Sequence, residues 1–406
     1  MSTKFSKPVP VLMYHSVGIP EKKWNWNYLT CPFELFEDQL RTLRKNGYES
    51  ISLMQLHDYI FHSKPLPAKP VVFTFDDGYL DNWIFAYPLM KKYGFRGTIY
   101  VNPEFVDREG GVRKRFDENV QISSLPTTGF LSWDEMREME KDGVMSVESH
   151  AMTHTWYPKS DKIIDYRHPG DKYIWMTWNN NPEIKYKLQT DDEALINYGE
   201  PVYEHEKSLS SKRFFPDNGL KEHLCNYVKE NGGKGFFNND NWKGILDQEA
   251  AKYKSVNRLN EYYETDEEYH SRIRWELTSS KSILEEKLNK KVLFHCWPGG
   301  SATKTGMEIS DILGFKLSNV ANDILDIRYK IENNDRYRIN RINRFTPKIY
   351  WDGRSFIRYS DGPTLLMQIR SFTDKGTRGF ISKGTLYLYK HYLKYFNHHT
   401  VEPRNI

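Results

Sequence analysis

Two neighbouring acids, Asp76 and Asp77, and two histidines four positions apart, His150 and His154, have the residue types and spacing that point to chemistry. One carboxylate and two imidazoles brought to a point make a three-ligand set for a divalent metal ion. Such a set leaves coordination positions open, which a catalytic ion needs and a structural one lacks. The remaining carboxylate is then free to take a proton from water. That is the outline of a metal-assisted hydrolase. Each half has a duller reading: Asp-Asp-Gly makes a turn, and histidines four apart occur on helix surfaces. Their joint occurrence, each at a strand exit, favours the metal.

The elements that must position these groups follow from pattern. Residues 71–77 (VVFTFDD) form a β-branched and aromatic run stopped by Gly78, which reads as a buried strand delivering both acids to its C-terminal tip. Residues 144–148 read as another strand, with the histidines on its exit. Residues 8–17 make a first strand ending in Tyr14-His15. Residues 33–46 carry Phe33, Phe36, Leu40 and Leu43 at helical spacing before Gly47. Ser132 and Glu135 make a capping box opening a further helix. Strand and helix alternate, so the expected fold is α/β with a largely parallel sheet or barrel, and chemistry at the C-terminal strand ends.

The rhythm breaks over residues 155–269, a polar, aromatic, Asn-rich stretch too long for a structureless loop. Regular structure resumes with a helix over 273–288, a strand over 292–295 and a turn at Cys296-Trp297-Pro298-Gly299-Gly300. Late strands are expected over 316–320 and 336–342, and an amphipathic helix over 387–396. The organisation is thus residues 1–154 as the first part of the barrel, 155–270 as an insertion or lid, 271–350 as the second part and 351–406 as a C-terminal helical extension.

With 58 basic and 54 acidic residues the net charge is only +4, which gives no electrostatic case for nucleic acid. No stretch approaches the roughly 20 apolar residues of a membrane span. The N-terminus shows no signal-peptide pattern, so a cytoplasmic protein is expected. Three cysteines argue against a disulfide framework. Aromatic residues make up 15% of the chain, many in polar stretches, which suits contact with sugar rings.

Phe73-Thr74-Phe75-Asp76-Asp77-Gly78, followed by the segment 131–154 ending in Ser149-His150-Ala151-Met152-Thr153-His154, resembles the NodB-type polysaccharide deacetylases. The start at residues 8–17 is similar to the permuted subgroup that opens with a Tyr-His strand. The resemblance covers residues 8–156 well and 273–345 loosely. It implies a distorted (β/α) barrel of largely parallel strands, here with a long insertion, and removal of an acetyl or other acyl group from an amino sugar or glycan in surface-polysaccharide biosynthesis. Carried over by motif, Asp76 is the base, and Asp77, His150 and His154 hold the metal. Zinc is the expected ion, with cobalt, nickel, iron or manganese as alternatives.

The general acid is expected at His15, in Leu12-Met13-Tyr14-His15, and the oxyanion donor at the Gly299 N–H. Tyr14, Trp297 and Pro298, with Trp175 and Arg213 of the insertion, are the candidate substrate contacts. The arginine that braces the catalytic Asp in many members is absent from its usual motif, and Arg213 or Arg344 could replace it. Two other readings stand beside the hydrolase: an idle carbohydrate-binding protein on the same fold, and a non-haem iron oxygenase using the two His and one acid.

Overall fold

The run Pro70–Phe75 is buried at every position, and as the strand β2 it has parallel neighbours on both sides. The computed structural model describes residues 9–21, 24, 26–117, 119–188, 192–321, 341–350, 356–374 and 376–396. Seven strands follow one another across the sheet in chain order: β1 (Val11–Tyr14), β2, β3 (Gly97–Val101), β4 (Met145–Ser149), β5 (Phe294–Cys296), β6 (Leu317–Ala321) and β7 (Arg341–Arg344). All six pairings between them are parallel. The curled sheet then meets itself. Leu12 bridges Phe345 in parallel, the Met13 N–H donates to the Phe345 carbonyl at 2.8 Å, and the Phe345 N–H donates to the Val11 carbonyl at 3.0 Å.

Side chains alternate across this sheet, as strand geometry requires. Tyr14, Phe73, Phe75, Ile99 and Val147 face outward into the core shared with helices such as Phe33–Lys45. Val11, Val72, Tyr100, Phe294 and Leu317 face inward, where they pack with Leu53, Leu56 and Ile60 of the helix Leu53–His62. Towards the C-terminal strand ends the inward positions turn polar: Thr74, Asp76, His150, Cys296 and Arg344 are all buried.

Between β4 and β5 lies a separate construction. An antiparallel ribbon pairs Trp156–Tyr166 with Pro201–Lys207, and the helices Asn218–Glu230 and Trp242–Val256 pack on each other through Leu220, Leu224 and Leu246. The ribbon and the second helix carry little sequence signal. The strand is half-buried along most of its length, and the helix buries only Leu246 and Ala250. The helix expected over 273–288 begins earlier, at Asp266, where Thr265 and Glu268 form a capping box. Its first turn is acidic and has no apolar period to announce it. Of the strand expected over 336–342, residues 336–340 lie outside the described residues. The C-terminal helix runs Thr377–Phe396, longer than the 387–396 expected, and follows a helix over Gly362–Thr373. No helix among the described residues is long and apolar enough to cross a membrane.

Candidate active site

The two acids part company at the end of β2. Asp76 continues the extended chain, its N–H donating to the Tyr14 carbonyl at 3.0 Å, and its side chain turns into the barrel. Asp77 takes a left-handed backbone (φ 72°), a conformation that aspartate tolerates better than most residues, and this re-aims its carboxylate. Gly78, also left-handed, completes the turn.

Asp77 faces the two histidines. Its Oδ1 lies 3.2 Å from His150 Nε2 and 3.4 Å from His154 Nε2. His150 Nδ1 is 2.9 Å from the Cys296 carbonyl, which can only accept, so Nδ1 carries a proton and Nε2 is the atom turned to Asp77. Burial opposes charge on this imidazole, but Cys296 and Asp77 outweigh it and raise its pKa well above the ordinary value. Burial pushes the His154 imidazole down to about 4, against the pull of Asp77, leaving it neutral at pH 7. Burial alone would raise the Asp77 carboxyl, yet the histidines hold it below the usual carboxylate range. Asp77 Oδ1 is buried without a hydrogen-bond partner. Two imidazole nitrogens and a carboxylate oxygen that converge on one point are the donor set of a divalent cation, and these three lie within 4.8 Å of one another. Two other His/Asp/Cys groupings occur among the described residues, Asp76–His150–Cys296 and His57–Asp58–His62.

Asp76 is held by arginine. Arg344, at the end of β7, donates from Nη1 to Oδ1 and from Nη2 to Oδ2, both at 2.6 Å, with Thr74 Oγ1 3.0 Å and Cys296 Sγ 2.9 Å away. This bidentate fork is the brace left open between Arg213 and Arg344. Burial by itself would raise the Asp76 carboxyl, and the Arg344 guanidinium outweighs it and keeps the acid ionised. His15 Nε2 lies 3.9 Å from Asp76 Oδ2, with about a fifth of its side chain exposed. Burial lowers its basicity, while Asp77 and Asp76 pull the other way.

The loop between the histidines is itself clamped. Ala151 and His154 both have positive φ. Glu276, fully buried, accepts the Met152 and Thr153 N–H groups at 3.0 Å each and the Thr153 hydroxyl at 2.5 Å. Lys185, also buried, donates to the Thr153 carbonyl and pairs with Glu104 at 2.9 Å. Glu276 was not singled out from sequence. The available signal was Glu276 itself, a carboxylate in the buried stripe Ile273, Leu277, Ser280, Leu284 of its helix.

Several expected contacts lie elsewhere. Tyr14 is fully buried on the helix-facing side, stacked near Phe73 and Phe75, and donates to Gln39 at 2.6 Å; strand alternation sends it opposite to His15. Trp297 is likewise core, its ring 4.5 Å from that of His295. His295 faces outward against Trp297 and Phe315, while Cys296 takes the inward position beside Asp76. Pro298 is buried in the turn Pro298–Gly300, and Gly299 is exposed with φ 54°, its carbonyl accepting from Lys207 Nζ at 2.8 Å. Trp175 and Arg213 line a cavity of about 290 Å³ in the insertion, so Arg213 has no part in bracing Asp76.

Residues 63–202 match the family model described as polysaccharide deacetylase. The chain is 32% identical over 153 residues to the YxkH protein of Bacillus subtilis (strain 168), covering 37% of this chain and 46% of that one. It is 28% identical over 139 residues to the poly-beta-1,6-N-acetyl-D-glucosamine N-deacetylase of Escherichia coli (strain K12), covering 34% of this chain and 20% of that one. The matched region thus spans less than half the length of these relatives. Among solved structures, a de-N-acetylase from Aggregatibacter actinomycetemcomitans aligns with a TM-score of 0.49 at 19% identity, over 83% of this chain and 94% of that one. The Streptococcus pyogenes deacetylase PplD in complex with acetate aligns with a TM-score of 0.45 at 17% identity, over 83% and 91%. Residues 63–202, which carry both acids and both histidines of the cluster, belong to the polysaccharide deacetylase family.

Proposed function

We propose that this chain is a metal-dependent hydrolase that removes an acetyl group from an amino sugar or glycan. The observation that carries this reading is the convergence of Asp77, His150 and His154 beside a second acid, Asp76, that is kept ionised by Arg344. A divalent ion held by those three donors, zinc being the expected one, would polarise the acyl carbonyl and acidify a water. Asp76 takes the proton of the attacking water as its oxygen adds to the carbonyl carbon. The Gly299 N–H is assigned to the developing oxyanion. The carbon–nitrogen bond then breaks, and His15 supplies the proton that lets the amine depart. The protonated Asp76 is well placed to return its proton by way of solvent.

The relative named as a poly-beta-1,6-N-acetyl-D-glucosamine N-deacetylase makes an N-acetylglucosamine oligomer the first substrate to try. The Arg344–Asp76 fork favours the hydrolase over an idle sugar-binding protein, since the absent brace was the ground for that alternative. Metal analysis combined with acetate release from N- and O-acetylated sugars tests the assignment. His15→Ala should keep its metal while turnover falls about tenfold or more. Unchanged turnover would discard His15 as the acid, and oxygen consumption in place of acetate release would discard the hydrolase.

A further inference from the structure

The insertion carries a cavity of about 290 Å³, room for one sugar residue, whose wall holds two cations, Arg213 and Lys221, and two acids, Glu200 and Asp217. Arg213 lines it with its guanidinium packed between two rings, 4.3 Å from the centre of Tyr157 and 4.4 Å from that of Phe215. Phe215 is in turn stacked on Tyr262. The nearby carboxylate that could neutralise Arg213 is already taken. Arg272 grips Glu264 from Nε and Nη2 at 2.6 and 2.7 Å, leaving Arg213 only a backbone N–H bond to that acid. The acids on the cavity wall are committed too: Glu200 pairs with Lys221 at 2.6 Å, and Asp217 accepts the Leu220 and Asn260 N–H groups. Among the described residues Arg213 therefore has no carboxylate partner. An arginine fixed by stacking and lacking a counter-ion is a fork prepared for a carboxylate or phosphate. Trp175 and Tyr203 add apolar faces suited to a sugar ring, and the exposed Asn180 adds an amide.

We propose that this cavity binds an anionic sugar residue, a uronate or a sugar phosphate, with its charge on Arg213. Tyr157 lies three residues beyond His154, about 10 Å of extended chain, and Trp156 between them has its ring 5.9 Å from that of His154. The cavity therefore lies beside the ribbon that leaves the candidate metal loop.

Titration of the full chain with glucuronate, glucose 1-phosphate and glucose, followed by tryptophan fluorescence, tests the site without reading turnover. At least one of the two anionic sugars should bind tenfold or more tightly than glucose, and which of them does so identifies the charged group recognised. That preference should vanish in Arg213→Ala and in Arg213→Gln, the second keeping a planar side chain against loss of packing, and it should persist in His154→Ala. Equal binding of all three sugars, or a preference that survives both Arg213 variants, or one lost in His154→Ala, would overturn the proposal. Charge-selective binding through Arg213 in a chain that releases no acetate would leave this site standing and remove the hydrolase.

Discussion

Two adjacent aspartates with different neighbours are the centre of the account at the scale of single residues. Asp77 meets two imidazole nitrogens and Asp76 meets a guanidinium, and a backbone change from extended to left-handed separates them. Their types and the His150–His154 spacing were legible in the sequence. Arg344 was legible only as one of two candidates, because a partner 268 positions away leaves no local pattern. Tyr14 and Trp297 were misplaced for one reason: at a strand end, neighbouring residues point to opposite faces, so assigning both Tyr14 and His15 to the cleft asked one strand to face two ways. Arg344→Met should destabilise the chain by roughly 3–5 kcal/mol at pH 7, since it strands a buried charge. The gap to the wild type should close on acidification. Asp76 is depressed in the fold, so the stabilisation from its pairing is complete above the ordinary carboxylate range and is lost as pH falls through that range towards the folded value. Denaturant unfolding at pH 7 and pH 3 measures both; a gap that widens in acid would contradict the pairing.

At the scale of elements, the strands and helices that repeat every few residues were readable, and the insertion was not. Its ribbon alternates no apolar face, and its second helix buries two side chains, so neither periodicity had anything to act on. Yet this insertion reaches the candidate metal loop through Lys185, while the helix Asp266–Leu288 holds the loop through Glu276. Glu276 is a positioning residue on this view. Glu276→Ala should weaken metal affinity about 10–100-fold by releasing the Met152 and Thr153 N–H groups, whereas Glu276→Gln, which still accepts them, should stay close to wild type. Metal titration of both variants checks this, and equal losses would mean that charge rather than loop geometry is at work.

The whole molecule is what brings residues 76, 150, 296 and 344 together, since a sheet that curls until β7 meets β1 turns distant strand ends into one rim. Alternation predicted a largely parallel sheet or barrel, while the closure itself depends on register between Leu12 and Phe345 that no local pattern encodes. One acid of this rim region sets a pH dependence for the entire fold. Asp81, buried and bonded by the Ser16 hydroxyl, is pushed up to about 7 by burial. A raised folded value means the contribution is fully present below the unfolded carboxylate range and lost as pH rises towards 7. Asp81→Asn should therefore gain on the wild type by roughly 2 kcal/mol between pH 5 and pH 8, read as the difference in unfolding free energy. The central claim, that Asp77, His150 and His154 hold a metal while Asp76 moves the proton, is tested most directly by measuring metal content and acetate release together in the wild type and Asp76→Asn. The account predicts one bound ion in each and a fall in acetate release of about 100-fold or more in the variant; full metal occupancy with undiminished release in Asp76→Asn, or occupancy with no release from any acetylated sugar, would contradict it.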